Sequence, residues 1–262
     1  MSSKFNIRKR LIKIGFLVNQ IYKEAIVIRL ISDFLFIIMQ YYIWRAIYKT
    51  NTINSITFTE MISYIIISKI IVNILPGNVS SDIGYKIKSG DILFSLLTPY
   101  SFTEILLFEN IGKSLFKLLI INIPLYLAYF LIIGINTQIV YLLEFILLIS
   151  LTYIFYFFFE LLFGVISFYT NSQWGIQNLK YAVLLIFSGR IIPIKLYPSL
   201  LYKISNFLPF KYFINVPILT LLGKNSNFID SIIILSINIL IIFMIFNITY
   251  KTAIKKLTIQ GG

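Results

Sequence analysis

Long runs of Ile, Leu, Phe and Val alternate with short polar breaks along the whole chain. A bilayer core needs about 20 apolar residues in helical form, and the pattern predicts six spans, at about 30–48, 58–75, 115–133, 139–168, 174–187 and 229–250. The runs are continuous, without the alternating segments of about 10 residues that mark a transmembrane barrel. The predicted fold class is therefore all-α: a polytopic membrane protein with six transmembrane helices, forming one domain over 1–262. The fourth run is longer than a bilayer requires, so it tilts or protrudes. Pro124 is expected to kink the third span, and Trp44, Arg45 and Tyr48 read as an interfacial belt at the far end of the first.

Three stretches depart from the span pattern. Over 4–24, Ile7, Leu11, Ile14, Val18 and Ile21 recur every three or four residues, while Lys9, Lys13, Gln20 and Lys23 take other faces. This predicts an interfacial helix whose cluster Lys4, Arg8, Lys9, Arg10 and Lys13 favours anionic headgroups, by about 1 kcal/mol per basic residue. A signal peptide is excluded, because the charges extend too far and no small-residue cleavage site follows.

The second stretch, 80–101, gathers Asp82, Lys86, Lys88, Gly90, Asp91 and Pro99 between apolar runs. Charges at that density are costly in hydrocarbon, so the stretch must meet water or another protein. Ile83, Ile87, Leu93, Leu96 and Leu97 form apolar ridges beside them, which suits it to gripping a soluble partner. The third stretch, 188–223, holds four of the seven prolines: Pro193, Pro198, Pro209 and Pro217. Prolines so spaced break any long helix, which predicts short interfacial or re-entrant helices on the outer side, between spans five and six.

Polar residues inside the spans are functional candidates. Arg29 and Asp33 lie one turn apart and read either as a local pair, with Arg29 snorkelling to the headgroups, or as a gate or substrate contact. Glu160 sits near the inner end of span four, where it can reach water, and Glu109 stands four residues before Lys113 in the favourable order. Gly112-Lys113-Ser114 resembles the end of a phosphate-binding loop, but the first glycine of that motif would fall on Leu107, so nucleotide binding is rejected.

Composition narrows the chemistry further. The 262 residues are 58% hydrophobic and 13% charged, with mean hydropathy +0.88. The absence of Cys and His removes disulfides, thiolates, imidazole bases and the commonest metal ligands. No catalytic or metal residues are expected. A membrane enzyme acting on lipids would need a carboxylate pair, a His or a metal, whereas the ten carboxylates are scattered. A secondary transporter or channel, the other alternative, would show internal repeats or mid-bilayer ionisable groups. The net charge of +13 sits at span ends and loops, so topology and lipid headgroups account for it better than nucleic acid. An even span count puts both termini on one side, and the basic N-terminus, Lys86, Lys88 and the basic tail place that side in the cytoplasm. Arg190, Lys195, Lys203, Lys211 and Lys224 then lie outside, against the usual charge bias.

The order of several short words along this frame resembles the ABC-2 class of ATP-binding-cassette permeases, in the branch long grouped as a family of unknown function. They are Trp44 to Tyr48; Ile87-Lys88-Ser89-Gly90-Asp91 leading to Leu96-Leu97-Thr98-Pro99; and Phe187-Ser188-Gly189-Arg190-Ile191-Ile192-Pro193 leading to Tyr197-Pro198, Leu208-Pro209-Phe210 and Pro217. A basic residue often precedes the family's proline where this chain has Thr98. The resemblance implies a permease without its own catalytic site, coupling ATP hydrolysis by a separate ATPase to export of an amphiphile such as a peptide, drug or lipid-like molecule. It implies an ATPase-contacting coupling helix at Asp82, Lys86, Lys88, Gly90, Asp91, Leu96, Leu97 and Pro99. An outer gate would involve Ser188, Gly189, Arg190, Pro193, Pro198, Pro209 and Pro217. It further implies no bound cofactor, ATP and Mg on two partner ATPase chains, a second permease copy or relative, and a bacterial plasma membrane location.

Overall fold

The computed structural model describes residues 2–21, 23–50, 55–98, 100–134, 138–170 and 173–255. Helix makes up 84% of the structure, with no strand among the described residues. The described residues form, in order, α1 Ser2–Val18, α2 Lys23–Thr50, α3 Phe58–Ile74, α4 Val79–Ser89, α5 Ile92–Leu97, α6 Phe102–Lys117, α7 Ile123–Ile133, α8 Ile139–Ile166, α9 Gln173–Phe187, α10 Ser199–Phe207, α11 Asn215–Leu221 and α12 Phe228–Ile254. Among the described residues, four helical runs are long and apolar enough to cross a membrane: α2, α3 continued by α4, α8 and α12.

The other two expected spans take different forms. The third is one rod, in which the 16-residue α6 and 11-residue α7 are joined without a gap by a π-helical turn, Leu118–Asn122. Pro124 explains the turn. Its ring clashes with the carbonyl four residues back and it has no N–H to donate, and a wider turn just before it relieves the clash. The fifth, α9, has 15 residues, about 22 Å at 1.5 Å per residue, against a hydrocarbon core of about 30 Å. It stops part-way, and the chain continues through short helical pieces from 194 to 221.

Side-chain contacts order the bundle end to end. Phe102 stacks on Tyr250 at 6.4 Å, and Arg8 pairs with Glu104 at 2.6 Å. The start of α6, the end of α12 and α1 therefore share one end of the molecule, where Val79, Ile83, Leu106, Leu161 and Phe246 form a common core. At the opposite end Glu60 pairs with Lys224, and the Gly223 backbone sits against Tyr141. Between the ends, Tyr64, Leu148, Phe155, Phe213 and Leu235 join α3, α8, α12 and the 209–221 segment, while Ile37, Met61, Ile65 and Leu125 join α2, α3 and α7.

The helix α1 packs on α6 in parallel. A Cβ at Gly15 would strike the Glu109 carbonyl, and one at Gly112 would strike the Ile12 carbonyl, so only glycine permits this approach. Phe16 meets Phe116 edge-on at 5.2 Å, and Asn19 donates to the Lys113 carbonyl at 3.3 Å. The apolar stripe expected over 4–24 divides: Ile7 and Leu11 are half-buried beside Glu104 and Ile105 of α6, whereas Ile14, Val18 and Ile21 remain exposed. Trp44 likewise departs from the belt reading, being 8% exposed within the chain.

Candidate functional site

The turn between α3 and α4 is where the buried chemistry concentrates. Gly77 and Asn78 follow Pro76, which ends the first helical run, and the first N–H groups of α4 need partners. Asn78, at the N-cap position, makes no side-chain capping bond. The carboxylate of Glu160, from α8, takes that role from across the bundle. Its Oε2 accepts from the Ser80 N–H at 3.0 Å and from the Ser80 Oγ–H at 2.7 Å. A negative charge there also meets the positive end of the α4 dipole.

Lys180 of α9 completes the group. Its Nζ lies 2.7 Å from Glu160 Oε1 as an ion pair and donates to Ser80 Oγ at 2.8 Å and to the Gly77 carbonyl at 3.2 Å. Gln177 donates to Ser80 Oγ at 3.0 Å. Glu160 is 0% exposed, so the expectation that it reaches water is corrected. Isolated in the interior, a carboxylate would cost several kcal/mol; paired and hydrogen-bonded, it ties α4, α8 and α9 together. Gly164 tightens the same contact, since a Cβ there would run into the Ile83 side chain.

From this anchored start α4 runs outward along the end that holds α1 and the end of α12. Asp82 pairs with Lys113 of α6 at 2.7 Å, and Lys86 lies over the Phe102 ring at 5.8 Å. Lys113 thus bonds α4 and not Glu109 of its own helix, because Asp82 stands opposite it. Gly90 ends α4 with φ +79°, a left-handed conformation that side chains other than glycine's resist. Ser89 then donates to Asp91 at 2.6 Å. Tyr85, Lys88, Asp91 and Leu97 are exposed. The Leu96 side chain and Pro99 lie outside the described residues.

A second polar cluster lies between α2, α3 and the π-turn. Arg29 donates to Asn73 Oδ1 at 2.8 Å, Asn73 donates to Asp33 at 3.0 Å and to Asn122 at 3.2 Å, and Asp33 pairs with Lys69 at 2.8 Å. Arg29 and Asp33 therefore do not form the direct pair expected from their spacing: the Asn73 amide bridges them, its oxygen taken by the guanidinium and its nitrogen given to the carboxylate. Asn122 donates onward to the Ile70 carbonyl at 3.0 Å.

The 188–223 residues come together at the other end. Ser188 is buried and bonded to the Leu184 carbonyl at 2.5 Å. Gly189 has φ +75°, and its carbonyl accepts from the Tyr64 hydroxyl at 2.6 Å. The Arg190 carbonyl accepts from Ser68 at 2.8 Å while its guanidinium covers the Tyr181 ring at 5.1 Å. Asn215 Oδ1 accepts from the Ile194 N–H at 3.2 Å and lies 3.0 Å from the Tyr64 hydroxyl. Pro198 and Pro209 precede or open the short helices, and Pro217 lies in the first turn of α11, where proline is tolerated. A cleft of about 310 Å³ opens beside Pro193, between Glu60, Lys195, Tyr202, Asn206, Asn215 and Lys224. Nearby, Lys211 donates to Asn206, and its partial burial holds its ammonium below the ordinary pKa.

The sequence reading missed Lys180, Gln177, Lys69, Asn73 and Asn122. Their signal was present, as single polar residues inside apolar runs, but each partner is tens of residues away. Among the described residues no group of His, Cys, Asp and Glu could hold a metal. Comparison with curated proteins gives no match. Over residues 34–261, however, the chain matches the family described as ABC-2 family transporter protein. With its all-helical build and apolar helices of spanning length, the chain belongs to this family of ABC-2 transporter permeases.

Proposed function

We propose that the chain is the permease subunit of an ATP-driven exporter in the bacterial plasma membrane, with both termini in the cytoplasm. Two separate ATPase chains, which bind the ATP and Mg, dock on the α4–α5 end. A second permease, identical or related, completes the path, and the cargo is an amphiphile. The chain itself carries no catalytic site.

One observation supports this reading above the others. The α4 helix is anchored at its start by Glu160 and Lys180, whereas its far end presents Tyr85, Lys88, Asp91 and Leu97 to the surroundings. An element fixed at one end and exposed at the other suits a lever. A push on α4 passes to α8 through Glu160, to α6 through Lys113, and to α9 through Lys180. The α9 helix in turn leads directly to the Gly189–Tyr64–Asn215 contacts of the opposite end. Closure of two ATPase domains would then be carried by packed helices as a rigid-body shift, with the free energy coming from the ATPase's preference for one permease state.

The test is a pull-down of tagged protein in mild detergent. A soluble ATPase is expected at about one copy per permease, and Asp91→Ala with Leu97→Ala is expected to lose it or to uncouple its hydrolysis from transport. A chain that purifies alone across detergents, yet transports without ATP, would overturn the proposal in favour of a secondary transporter.

A further inference from the structure

The end of the molecule opposite the termini carries a charge pattern that topology does not explain. Between 188 and 223 there are four basic residues, Arg190, Lys195, Lys203 and Lys211, and no acidic one, and Lys224 follows directly. Short loops on the outer face of a membrane protein ordinarily have few Lys and Arg. A local excess of positive charge there calls for a local anion.

The cleft provides the place. Its volume of about 310 Å³ falls at the lower end of small-ligand sites. Its wall is mixed, with Pro193, Ile194, Leu219 and Leu222 beside Lys195, Lys224, Tyr202 and Asn215. Lys195 is exposed, and Lys224 is held only by the half-exposed Glu60. The Asn215 oxygen is engaged by the Ile194 N–H, so its amide hydrogens are the part left to give. Among the described residues Glu60 is the one carboxylate lining the cleft, and it is paired with Lys224; the other polar groups there, Lys195, Tyr202, Asn206 and the Asn215 amide, can all donate.

The α10 helix shows where the ligand's other half lies. Leu200, Ile204 and Phe207 are spaced on one helical face and are 71%, 40% and 90% exposed. Tyr202 and Asn206, four residues apart, line the cleft, and Ser205 is buried behind them. One side of α10 therefore offers large apolar groups to lipid, and another borders a donor-rich cleft.

We infer that this cleft seats the phosphate headgroup of an anionic phospholipid, with Lys195 and Lys224 on the phosphate and the acyl chains running along the apolar face of α10. Lys224 exchanges its bond to Glu60 for the phosphate, while the charge on Lys195 is unshared. The inference rests on the proposed membrane placement of this end, but neither on the ATPase nor on transport.

Native mass spectrometry of the purified chain in detergent, titrated with dioleoyl phosphatidylglycerol, reads the site without either. One tightly held lipid is expected. Lys195→Gln with Lys224→Gln is expected to weaken it roughly tenfold, as loss of charge-assisted hydrogen bonds requires. Both side chains are partly exposed, so the fold should survive, and a thermal midpoint lowered by no more than about 4 °C verifies that. Lys203→Gln removes the same charge from α10 on its lipid-facing side and should change binding less than twofold; an equal loss there would show general surface attraction and overturn the site. Equal binding of phosphatidylcholine, or no effect of the double variant, would overturn it as well. Displacement of the lipid by an equal concentration of inorganic phosphate would make this a free-phosphate site and sink the lipid assignment.

Discussion

Two Glu–Lys bridges among the described residues have similar length and opposite character. Glu160 and Lys180 lie 2.7 Å apart with side-chain exposures of 0% and 6%; Glu60 and Lys224 lie 2.5 Å apart at 32% and 39%. In the first, the lysine also donates to Ser80 and to the Gly77 carbonyl, and a helix N-terminus sits on the carboxylate. The second also holds a helix start, since Glu60 and Thr57 form a capping box on α3, yet its lysine is open to solvent. Geometry alone does not separate them; surroundings do. A buried pair cannot lose one partner cheaply, whereas an exposed pair exchanges with water and salt at little cost. The sealed bridge fastens α4, α8 and α9 to one another, and the open bridge can exchange partners at little cost.

The sharpest way to break this contrast is Lys180→Met. It leaves the Glu160 carboxylate buried with only Ser80 for company, and a loss of roughly 3–5 kcal/mol is expected, visible as a large drop in the thermal midpoint in detergent. Adding Glu160→Gln should recover most of that loss, because the unpaired charge and not the missing bond carries it; a double variant as unstable as Lys180→Met would show that packing at α9 dominates. A third variant loosens the same end without touching a charge. Gly112→Val pushes a side chain into the Ile12 backbone and should cost about 1–3 kcal/mol, read as loss of a crosslink between cysteines introduced on α1 and α6. The smallest effect belongs to the open bridge: Glu60→Gln should lower stability by under about 1 kcal/mol, with less difference still at high salt.

Much of the fold was legible because it is written in local pattern. Continuous apolar runs marked the helices, Pro76 and Gly77 marked the break before α4, and four prolines marked the short helices after 188. The stretch from Ser80 stood out for its charge, and the structure gives Ser80 itself the central place in the buried cluster. What stayed hidden depends on meetings between distant segments. Glu160 was visible, but Lys180 and Ser80 reach it from other helices, so burial could not be read from its position in span four. Arg29 and Asp33 invited a local pairing, and only the placement of α3 brings Asn73 between them. Gly15 and Gly112 look like ordinary helix weaknesses until each is set against the backbone of the facing helix, at Glu109 and Ile12. The length of α9 was countable, yet its stop part-way acquires meaning only from what fills the remaining space.

The π-turn at Leu118–Asn122 has a consequence for how the chain tolerates insertions and deletions. A regular helix advances about 100° per residue, so the one surplus residue accommodated there resets the heading of everything after it. Asn122 faces Asn73 and the Ile70 carbonyl because of that reset. Removing a single residue from 118–121 would let α6 and α7 fuse into an unbroken helix that is locally more regular and globally misaimed. Leu125 would swing away from Met61, and Pro124 would meet the carbonyl it now avoids. Within this rod the count of residues carries the specification as much as their identities do, and a deletion that any surface loop would absorb is here the equivalent of turning a key in the wrong lock.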